Sequence, residues 1–327
     1  MRAGSRGRQR GVLQSPLSRC ARRDAGVAPM TLSASVIVPV LNGASTIGDT
    51  LKGVLSQVGQ PERYEVIVVD NGSADGTQDI VRQYPVRLLH CATPGASAVR
   101  NVGLNACAGD IYVNADADTL PARNWLKELL RPFSDPSTVL VGGRIISFMP
   151  KTGAERYIER AGLFRPENSA LNPRFAFVNA GNLAVRREAA LAIGGWDETL
   201  HASEDVDFSA RLVRHSRCEI RYAENAILFH RNRTDDDDLI RQAAGYGRGA
   251  ARIYRRFPEE TGWNFMKAMR VRRMIVSRSV RPGWLRLRRL VSRVSEEELE
   301  FARYHRMWTR AFWGAFFETW RQEGRDA

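Results

Sequence analysis

Two aspartates stand one residue apart in the stretch GDIYVNADADT, residues 109–119, directly after a run of apolar residues. Asp116 and Asp118 would repel each other at short range unless a positive charge lies between them. Close carboxylates offer hard oxygen ligands, which favour Mg²⁺ or Mn²⁺ over softer metals, and such a cation can hold a diphosphate. A single Asp-x-Asp can also merely cap a loop. The motif therefore indicates a metal site only when other motifs of the sequence support it.

A second acidic pair, Glu204-Asp205, lies in the stretch HASEDVDFSARLV. A positioned carboxylate can accept the proton of a reacting hydroxyl, which contributes about 10²–10⁴-fold to a rate. The structural alternative is that Ser203 caps a helix whose dipole favours acids in its first turn. His230 ends the strand-like stretch AILFH, and its imidazole either ligates a metal or packs on the surface.

The segments that carry these residues alternate between strand-like and helix-like patterns. Continuously apolar strands that alternate with helices favour an α/β fold, with a mostly parallel sheet covered by helices on both faces. The predicted strands of the first half are ASVIVPV (34–40), YEVIVVD (64–70), VRLLH (86–90) and DIYVNAD (110–116), and the predicted helices are 47–55, 75–84 and 96–107.

Ligands bind to such sheets at the carboxyl ends of the strands, where the connecting loops converge. Asn42, Asp70 and the pair Asp116/Asp118 each lie at or just past such an end. Three strands are therefore expected to bring polar side chains to one rim.

The second half of the chain has a mixed pattern. LVGGRIISF and FVNAGNLAV predict strands, and SEDVDFSARLV predicts a helix with an acidic start. After His230 the sequence becomes helical and basic and contains five of the seven tryptophans. The four acids Asp235–Asp238 predict a solvated first helical turn rather than a second metal site.

The net charge of +13 is confined to the ends of the chain. Residues 1–29 carry seven Arg and one Asp, and residues 231–327 carry 22 Lys or Arg against 13 Asp or Glu. Residues 30–230 are slightly acidic, with 20 against 22. A nucleic-acid partner is therefore not expected, whereas a basic flank suits anionic lipid head groups.

Five stretches occur in a fixed order: SVIVPVLNG, VVDNGSADGT, GASAVRNVGL, GDIYVNADAD and GGWDETLHASEDVDFSARL. Together they resemble the family 2 glycosyltransferases, which have the GT-A fold, over about residues 34–230. The resemblance implies a nucleotide site, in which Asp70 bonds the base, Asp116 faces the ribose and Arg100 lies near the nucleotide. The loop beside the base would contain Pro39, Val40, Leu41 and Asn42.

The resemblance also implies a metal and a base. Asp118 would bind Mg²⁺ or Mn²⁺ on the diphosphate, and His230 matches a metal-ligating histidine of some relatives. The pair Glu204-Asp205 would supply the catalytic base, with Asp205 as the first candidate. The expected donor is a UDP-sugar, or else a GDP- or dTDP-sugar, and the expected acceptor is a saccharide or a lipid-linked sugar.

The chain departs from processive relatives, which carry Gln-x-x-Arg-Trp where this sequence reads Gln242-Ala-Ala-Gly245-Tyr246. It also has Asp70-Asn71 in place of the common double aspartate. Transfer of a single sugar is therefore expected, with inversion as in most of the family, in the synthesis of cell-surface polysaccharide or glycolipid. No run of about 18 apolar residues occurs, which predicts a cytoplasmic protein, peripheral on the inner face of the membrane if its basic flank binds lipid.

Three regions are expected. An Arg-rich leader (1–29) has no role in the fold, and a GT-A catalytic domain (30–235) consists of a nucleotide-binding half (30–120) and an acceptor half (121–235). A basic and aromatic helical extension (236–327) either packs on the core or lies on an anionic membrane surface. The four cysteines show no metal-ligand spacing, which predicts reduced thiols.

Two other activities compete with glycosyl transfer. A sugar nucleotidyltransferase also uses a cation and paired aspartates, but it usually carries a basic, glycine-rich loop near the first strand, and SVIVPVLNGAST contains no Lys or Arg. A dinucleotide enzyme would need G-x-G-x-x-G after that strand, where only one Gly stands between Pro39 and Ser45. A third alternative is a non-enzymatic nucleic-acid binder, and its sole support is the high sequence pI of about 10.2.

Overall fold

The computed structural model describes residues 32–59, 64–172, 175–289 and 295–324, so the Arg-rich leader lies outside the described residues. The strands in this part of the chain are β1 (Ala34–Val40), β2 (Tyr64–Asp70), β3 (Arg87–His90), β4 (Ile111–Ala115), β5 (Thr119–Pro121), β6 (Leu140–Ser147), β7 (Asn182–Arg186) and β8 (Ile220–His230). The α-helices are α1 (Ile47–Leu55), α2 (Thr77–Val81), α3 (Ala96–Ala106), α4 (Trp125–Leu130), α5 (Gly153–Ala161), α6 (Arg187–Ala192), α7 (Glu204–Ser216), α8 (Asp236–Arg256), α9 (Pro258–Thr261), α10 (Phe265–Arg289) and α11 (Glu296–Glu323).

The strands form one eight-stranded sheet in the order β3-β2-β1-β4-β7-β6-β8-β5. The pairs among β3, β2, β1 and β4 are parallel, as is the pair β6/β8, whereas β7 and β5 run antiparallel to their neighbours. The predicted α/β fold with a mostly parallel sheet is confirmed. Because β1, β2 and β4 are adjacent and parallel, their carboxyl ends meet at one rim.

The first half of the chain follows its apolar pattern closely. In α1 the buried residues Ile47, Leu51 and Val54 lie on one helical face, as their spacing predicts. They pack with the apolar residues of β1 and β2 in one core cluster. The predicted helix 75–84 is shorter in the structure, because Gly76 adopts φ 86° and α2 begins only at Thr77.

The predicted strand FVNAGNLAV was wrong for its first five residues. Only Asn182–Arg186 forms a strand, and the backbone before it bonds to side chains of α7 instead of a neighbouring strand. The N–H of Val178 donates to the Ser209 hydroxyl (3.0 Å), and the N–H of Ala180 donates to Asp205 (3.3 Å). This irregular segment brings β7 against the acidic start of α7.

The sequence after β8 is helical, and most of its aromatic residues pack inward. Trp263 contacts the rings of Tyr254, Trp313 and Phe316, with centroids 4.9 to 6.1 Å apart. Trp308 packs on Tyr157 of α5 at 6.1 Å. Burial of these rings stabilises the contacts of α11 with α8 and α5.

Asp235 is the N-cap of α8 and accepts a hydrogen bond from the Asp238 N–H, so the four acids form the first helical turn that was predicted. Among the described cysteines, Cys91, Cys107 and Cys218 are free thiols, whereas Cys20 lies outside the described residues. Within the described ranges, none of the helices has the length and apolarity needed to cross a membrane.

Candidate active site

The loop after β1 is held to the loop after β2 by hydrogen bonds. The side-chain oxygen of Asn42 accepts the N–H of Ala74 (3.0 Å), and the N–H of Asn42 donates to the Ser73 hydroxyl (2.8 Å). Asn42 has φ 51°, a left-handed conformation that asparagine tolerates better than most residues. The predicted nucleotide-binding residue Asn42 therefore shapes the rim between two strands.

Pro39 and Val40 lie within β1 rather than in the loop. Val40 is buried in the core, and its carbonyl accepts the N–H of Asn71 (2.9 Å). The loop begins at Leu41, whose side chain is 57% exposed. This exposed leucine belongs to the loop that the resemblance places beside the nucleotide base.

Asp70 ends β2 with its carboxylate fully buried. The carboxylate accepts hydrogen bonds from the N–H groups of Gly72 and Ser73 (3.1 Å each) and from the Gln78 amide (2.9 Å). Burial raises the pKa of Asp70, but the hydrogen bonds from Ser73, Gln78 and Gly72 outweigh it and hold that pKa below its ordinary value. Asp70 is thus an ionised carboxylate that fixes the loop at the rim.

Arg100 of α3 joins the two acidic motifs. Its guanidinium lies 2.6 Å from Glu204 Oε1 and 3.5 Å from Asp116 Oδ1, and it packs 5.0 Å from the ring centroid of Trp196. Burial lowers the pKa of Arg100, but the charges of Glu204 and Asp116 raise it above its ordinary value. One buried cation therefore holds together carboxylates that lie 88 residues apart in the sequence.

Asp116, Asp118 and His230 form a cluster that could hold a metal ion. One ligand atom from each lies within 4.8 Å of the others, and His230 Nε2 is 3.5 Å from Asp118 Oδ1. That Oδ1 atom is buried and has no hydrogen-bond partner among the described residues. An unpaired buried carboxylate oxygen is costly unless something binds it, and the mixed oxygen and nitrogen donors suit Mn²⁺ as well as Mg²⁺.

The orientation of His230 is set by its neighbours. Its Nδ1 lies 3.1 Å from the side-chain oxygen of Asn232, and its ring packs on Phe164 with centroids 5.0 Å apart. A hydrogen bond at Nδ1 leaves Nε2 directed to the carboxylate, as is usual for metal-ligating histidines. The structure therefore places His230 next to the aspartate pair, whereas the sequence alone did not decide between a metal ligand and a packed surface residue.

Asp205 occupies the first turn of α7 and lines a cavity of about 520 Å³. Its carboxylate accepts the N–H groups of Val206 (2.9 Å) and Ala180 (3.3 Å). Burial, followed by the charge of Glu204, raises the pKa of Asp205 to about 7, and Arg100 opposes that rise only in part. Ser203, the capping residue of the structural alternative, stands at the N-cap position with φ 60° but makes no side-chain cap hydrogen bond.

Two residues of the site were missed in the sequence. Tyr246 of α8 lines the same cavity as Asp205, and burial together with the nearby Asp205 and Glu204 charges raises the pKa of its hydroxyl, which stays protonated. Arg231 donates its N–H to the carbonyl of Asp118 (3.0 Å) and binds Asp49 of α1 (2.7 Å). In the sequence, Arg231 could have been identified as a candidate from its position directly after the strand that ends at His230.

Similarity to a known protein family covers the part of the site from Asn42 to Asp118. The model of glycosyl transferase family 2 matches residues 35–194. Glycosyltransferase AglE of Haloferax volcanii is 30% identical over 228 residues, which are 67% of this chain and 73% of that protein. The chain belongs to glycosyltransferase family 2.

Other relatives agree with this assignment. The pre-mycofactocin glycosyltransferase of Mycobacterium tuberculosis is 34% identical over 242 residues, 71% of this chain, and the aligned region spans about half (50%) of that relative's length. A mannosyltransferase from Pyrobaculum calidifontis, solved with GDP-mannose and Mn²⁺, superposes with a TM-score of 0.53. It is 17% identical over 94% of this chain and 80% of its own, a likeness that supports the GT-A fold alone.

Proposed function

We propose that this protein transfers one sugar from a nucleotide-diphosphate sugar to an acceptor hydroxyl. The observation that carries the proposal is the buried Oδ1 of Asp118, which has no hydrogen-bond partner among the described residues and lies close to His230 and Asp116 at the strand rim. Arg100 links Asp116 to Glu204 at the acidic start of α7. A leaving-group site and a proton acceptor are thus built from one connected set of charges. Family membership favours sugar transfer over the nucleotidyl transfer considered above.

Asp118 and His230 would hold Mn²⁺ or Mg²⁺, with Asp116 beside them, and the bound cation would supply positive charge for the diphosphate leaving group. In the proposed reaction the acceptor oxygen forms a bond to the anomeric carbon as the bond from that carbon to the phosphate oxygen breaks. The proton of the acceptor hydroxyl passes to Asp205. A single displacement of this kind inverts the anomeric centre.

Asp205 is the better candidate for the base than Glu204. A general base works best when its pKa lies near the working pH, and the pKa of Asp205 is raised to about 7. Glu204 is bound to the Arg100 guanidinium at 2.6 Å and is therefore assigned a positioning role. Arg100, whose guanidinium lies 2.6 Å from Glu204 and 3.5 Å from Asp116, would fix the distance between the two motifs.

The nucleotide would lie on the rim formed by the loops after β1 and β2. Because the Asp70 carboxylate is occupied by Gly72, Ser73 and Gln78, we propose that the base contacts the backbone of this loop more than the carboxylate itself. Exposed Leu41 offers an apolar surface for the base. A UDP-sugar remains the first donor to test, followed by GDP- and dTDP-sugars.

The test is turnover of a donor panel with Mn²⁺, Mg²⁺ or EDTA, read as release of nucleoside diphosphate. Asp118→Asn is expected to abolish Mn²⁺-dependent turnover and to weaken nucleoside-diphosphate binding. The matched control is Asp79→Asn, because Asp79 is an aspartate with an 80% exposed side chain on α2. Full turnover in Asp118→Asn, or release of pyrophosphate from a nucleoside triphosphate and a sugar phosphate, would contradict the proposal.

Peripheral membrane binding is proposed for α10 rather than for the whole extension. Along its 25 residues the helix carries nine Lys or Arg and no acids. Met266, Val276 and Trp284 are 62%, 65% and 56% exposed and share one helical face. Basic helices with apolar and aromatic residues on one face bind anionic lipid surfaces, which fits a lipid-linked acceptor in glycolipid or polysaccharide synthesis.

Sedimentation with anionic vesicles at low salt tests the membrane proposal. Val276→Ser with Trp284→Ser is expected to reduce binding, whereas Leu171→Ser, at a 51% exposed leucine elsewhere, is expected to leave it unchanged. Equal sedimentation of all three proteins, or none by the wild type, would refute it.

A further inference from the structure

The cavity beside Asp205 has a lining that restricts its ligand. At about 520 Å³ it has the size of a small-molecule site. Its walls come from the segment before β7 and from the C-terminal helices, and several of them are aromatic or aliphatic: Phe164, Phe175, Phe177, Ile253, Tyr254 and Phe312.

Three polar side chains of the same cavity are engaged within the protein. The Asn168 amide donates to the carbonyl of Gly162 (2.9 Å), and the Lys267 ammonium donates to the carbonyl of Thr261 (2.6 Å). The Thr261 hydroxyl in turn donates to the carbonyl of Phe257 (2.8 Å). The hydroxyls of a bare sugar chain would have to compete with these bonds.

Asn179 and Ser203 also line the cavity, so the lining is mixed, with more apolar and aromatic residues than polar ones. Asp205 is available at the reaction centre, and Glu260 Oε2 is a buried oxygen without a hydrogen-bond partner among the described residues. The Tyr246 ring, 38% exposed, adds another flat surface next to Asp205. Such walls favour an apolar body with a small number of hydrogen-bond donors.

We propose that the acceptor carries its reacting sugar or hydroxyl on an apolar aglycone, an aromatic ring or an alkyl or isoprenoid chain, and that this cavity binds the aglycone. The inference rests on the proposed function, because it takes Asp205 as the base. A polysaccharide end without an aglycone would be a poor ligand for the same walls. The C-terminal helices would therefore determine acceptor class, while the strand rim binds the donor.

The experiment compares matched glycosides in the full-length protein with nucleoside diphosphate and Mn²⁺ present. Methyl, 4-nitrophenyl and octyl glycosides of glucose, mannose, galactose and N-acetylglucosamine are titrated by calorimetry below micelle-forming concentrations. For at least one sugar, an apolar aglycone is expected to bind about tenfold or more tightly than the methyl glycoside, since each tenfold step needs only about 1.4 kcal/mol. The better of the two apolar glycosides distinguishes a ring from a chain.

Two variants on α8 make the result specific. Ala250→Leu fills the cavity at a lining position and is expected to abolish most of the preference for apolar aglycones. Ala244→Leu is the same substitution on a different face of α8 and is expected to keep it. Equal binding of all three glycosides for every sugar, or a preference that survives in Ala250→Leu, would overturn the inference.

A separate readout distinguishes this failure from failure of the proposed function. Mn²⁺-dependent nucleoside-diphosphate binding and slow donor hydrolysis need no acceptor, and both are expected to be unchanged in Ala250→Leu and Ala244→Leu. If those signals are present while the aglycone has no effect, only the acceptor class is wrong. If they are absent in the wild type, the proposed function itself fails.

Discussion

The sharpest prediction separates Asp205 from Glu204 as the base. If Asp205 must be ionised to accept a proton, its pKa of about 7 places an acid limb on the pH dependence of kcat/KM, so that activity at pH 6 is about one tenth of the plateau. Glu204→Gln removes a charge that raises this pKa and frees Arg100 to lower it. The acid limb is therefore expected to move to lower pH while turnover persists.

Asp205→Asn is expected to reduce kcat by about 10²–10⁴-fold, the usual contribution of general base catalysis, and to remove the acid limb from the pH dependence. The assay is nucleoside-diphosphate release between pH 5 and about 9, the range that brackets the pKa. Loss of turnover in Glu204→Gln together with a retained limb in Asp205→Asn would refute the assignment and make Glu204 the base. An acid limb that does not move in Glu204→Gln would refute the proposed charge coupling.

The same carboxyl predicts a pH-dependent stability difference. The pKa of Asp205 in the folded protein is about 7, above its ordinary 3.8, so the stability that its neutral form contributes is complete below pH 3.8 and is lost as the pH rises through 7. Asparagine mimics the neutral form at every pH. Asp205→Asn is therefore expected to match the wild type near pH 4 and to exceed it by up to about 4 kcal/mol at pH 8, measured by urea unfolding.

Further predictions concern the residues around the site. Arg100→Met leaves Asp116 and Glu204 without their buried cation and is expected to lower the free energy of unfolding by about 3–5 kcal/mol in urea, and a loss below about 1 kcal/mol would contradict the network. His230→Gln is expected to raise the Mn²⁺ concentration for half-maximal turnover by about tenfold or more, and an unchanged metal titration would remove His230 from the site. Trp125→Phe leaves the buried Asn182 oxygen without the indole N–H that donates to it at 2.8 Å, at a cost of about 1–3 kcal/mol in stability with kcat unchanged.

Much of the rim could be predicted because it depends on the strands being parallel, which places their carboxyl ends at the same edge of the sheet. The apolar runs that became β1, β2 and β4 ended within a residue of where the pattern placed them, so Asp70 and Asp116 came to the ends of the two strands that flank β1. Parallel strands have no other way to arrange those ends. The helix that carries Glu204 and Asp205 was equally clear from its periodicity.

Features that depend on contacts distant in sequence could not be predicted. Pro39 and Val40 were assigned both to the strand 34–40 and, by the resemblance, to the loop beside the base, and the structure places them in the strand, where they pair with Val69 and Asp70. Residues before β7 matched a strand but bond to α7. The bond of Arg100 to Glu204 joins positions 104 residues apart, and no local pattern indicates such a pairing.

The acidic start of α7 illustrates how the site overrides a local rule. A carboxylate in the first turn of a helix is normally stabilised by the helix dipole, which lowers its pKa. For Asp205 the opposite holds, because enclosure and the adjacent Glu204 raise the pKa to about 7. A carboxyl kept at a cost to stability, next to a cavity and one residue from a carboxylate fixed by Arg100, has the properties expected of a residue retained for chemistry.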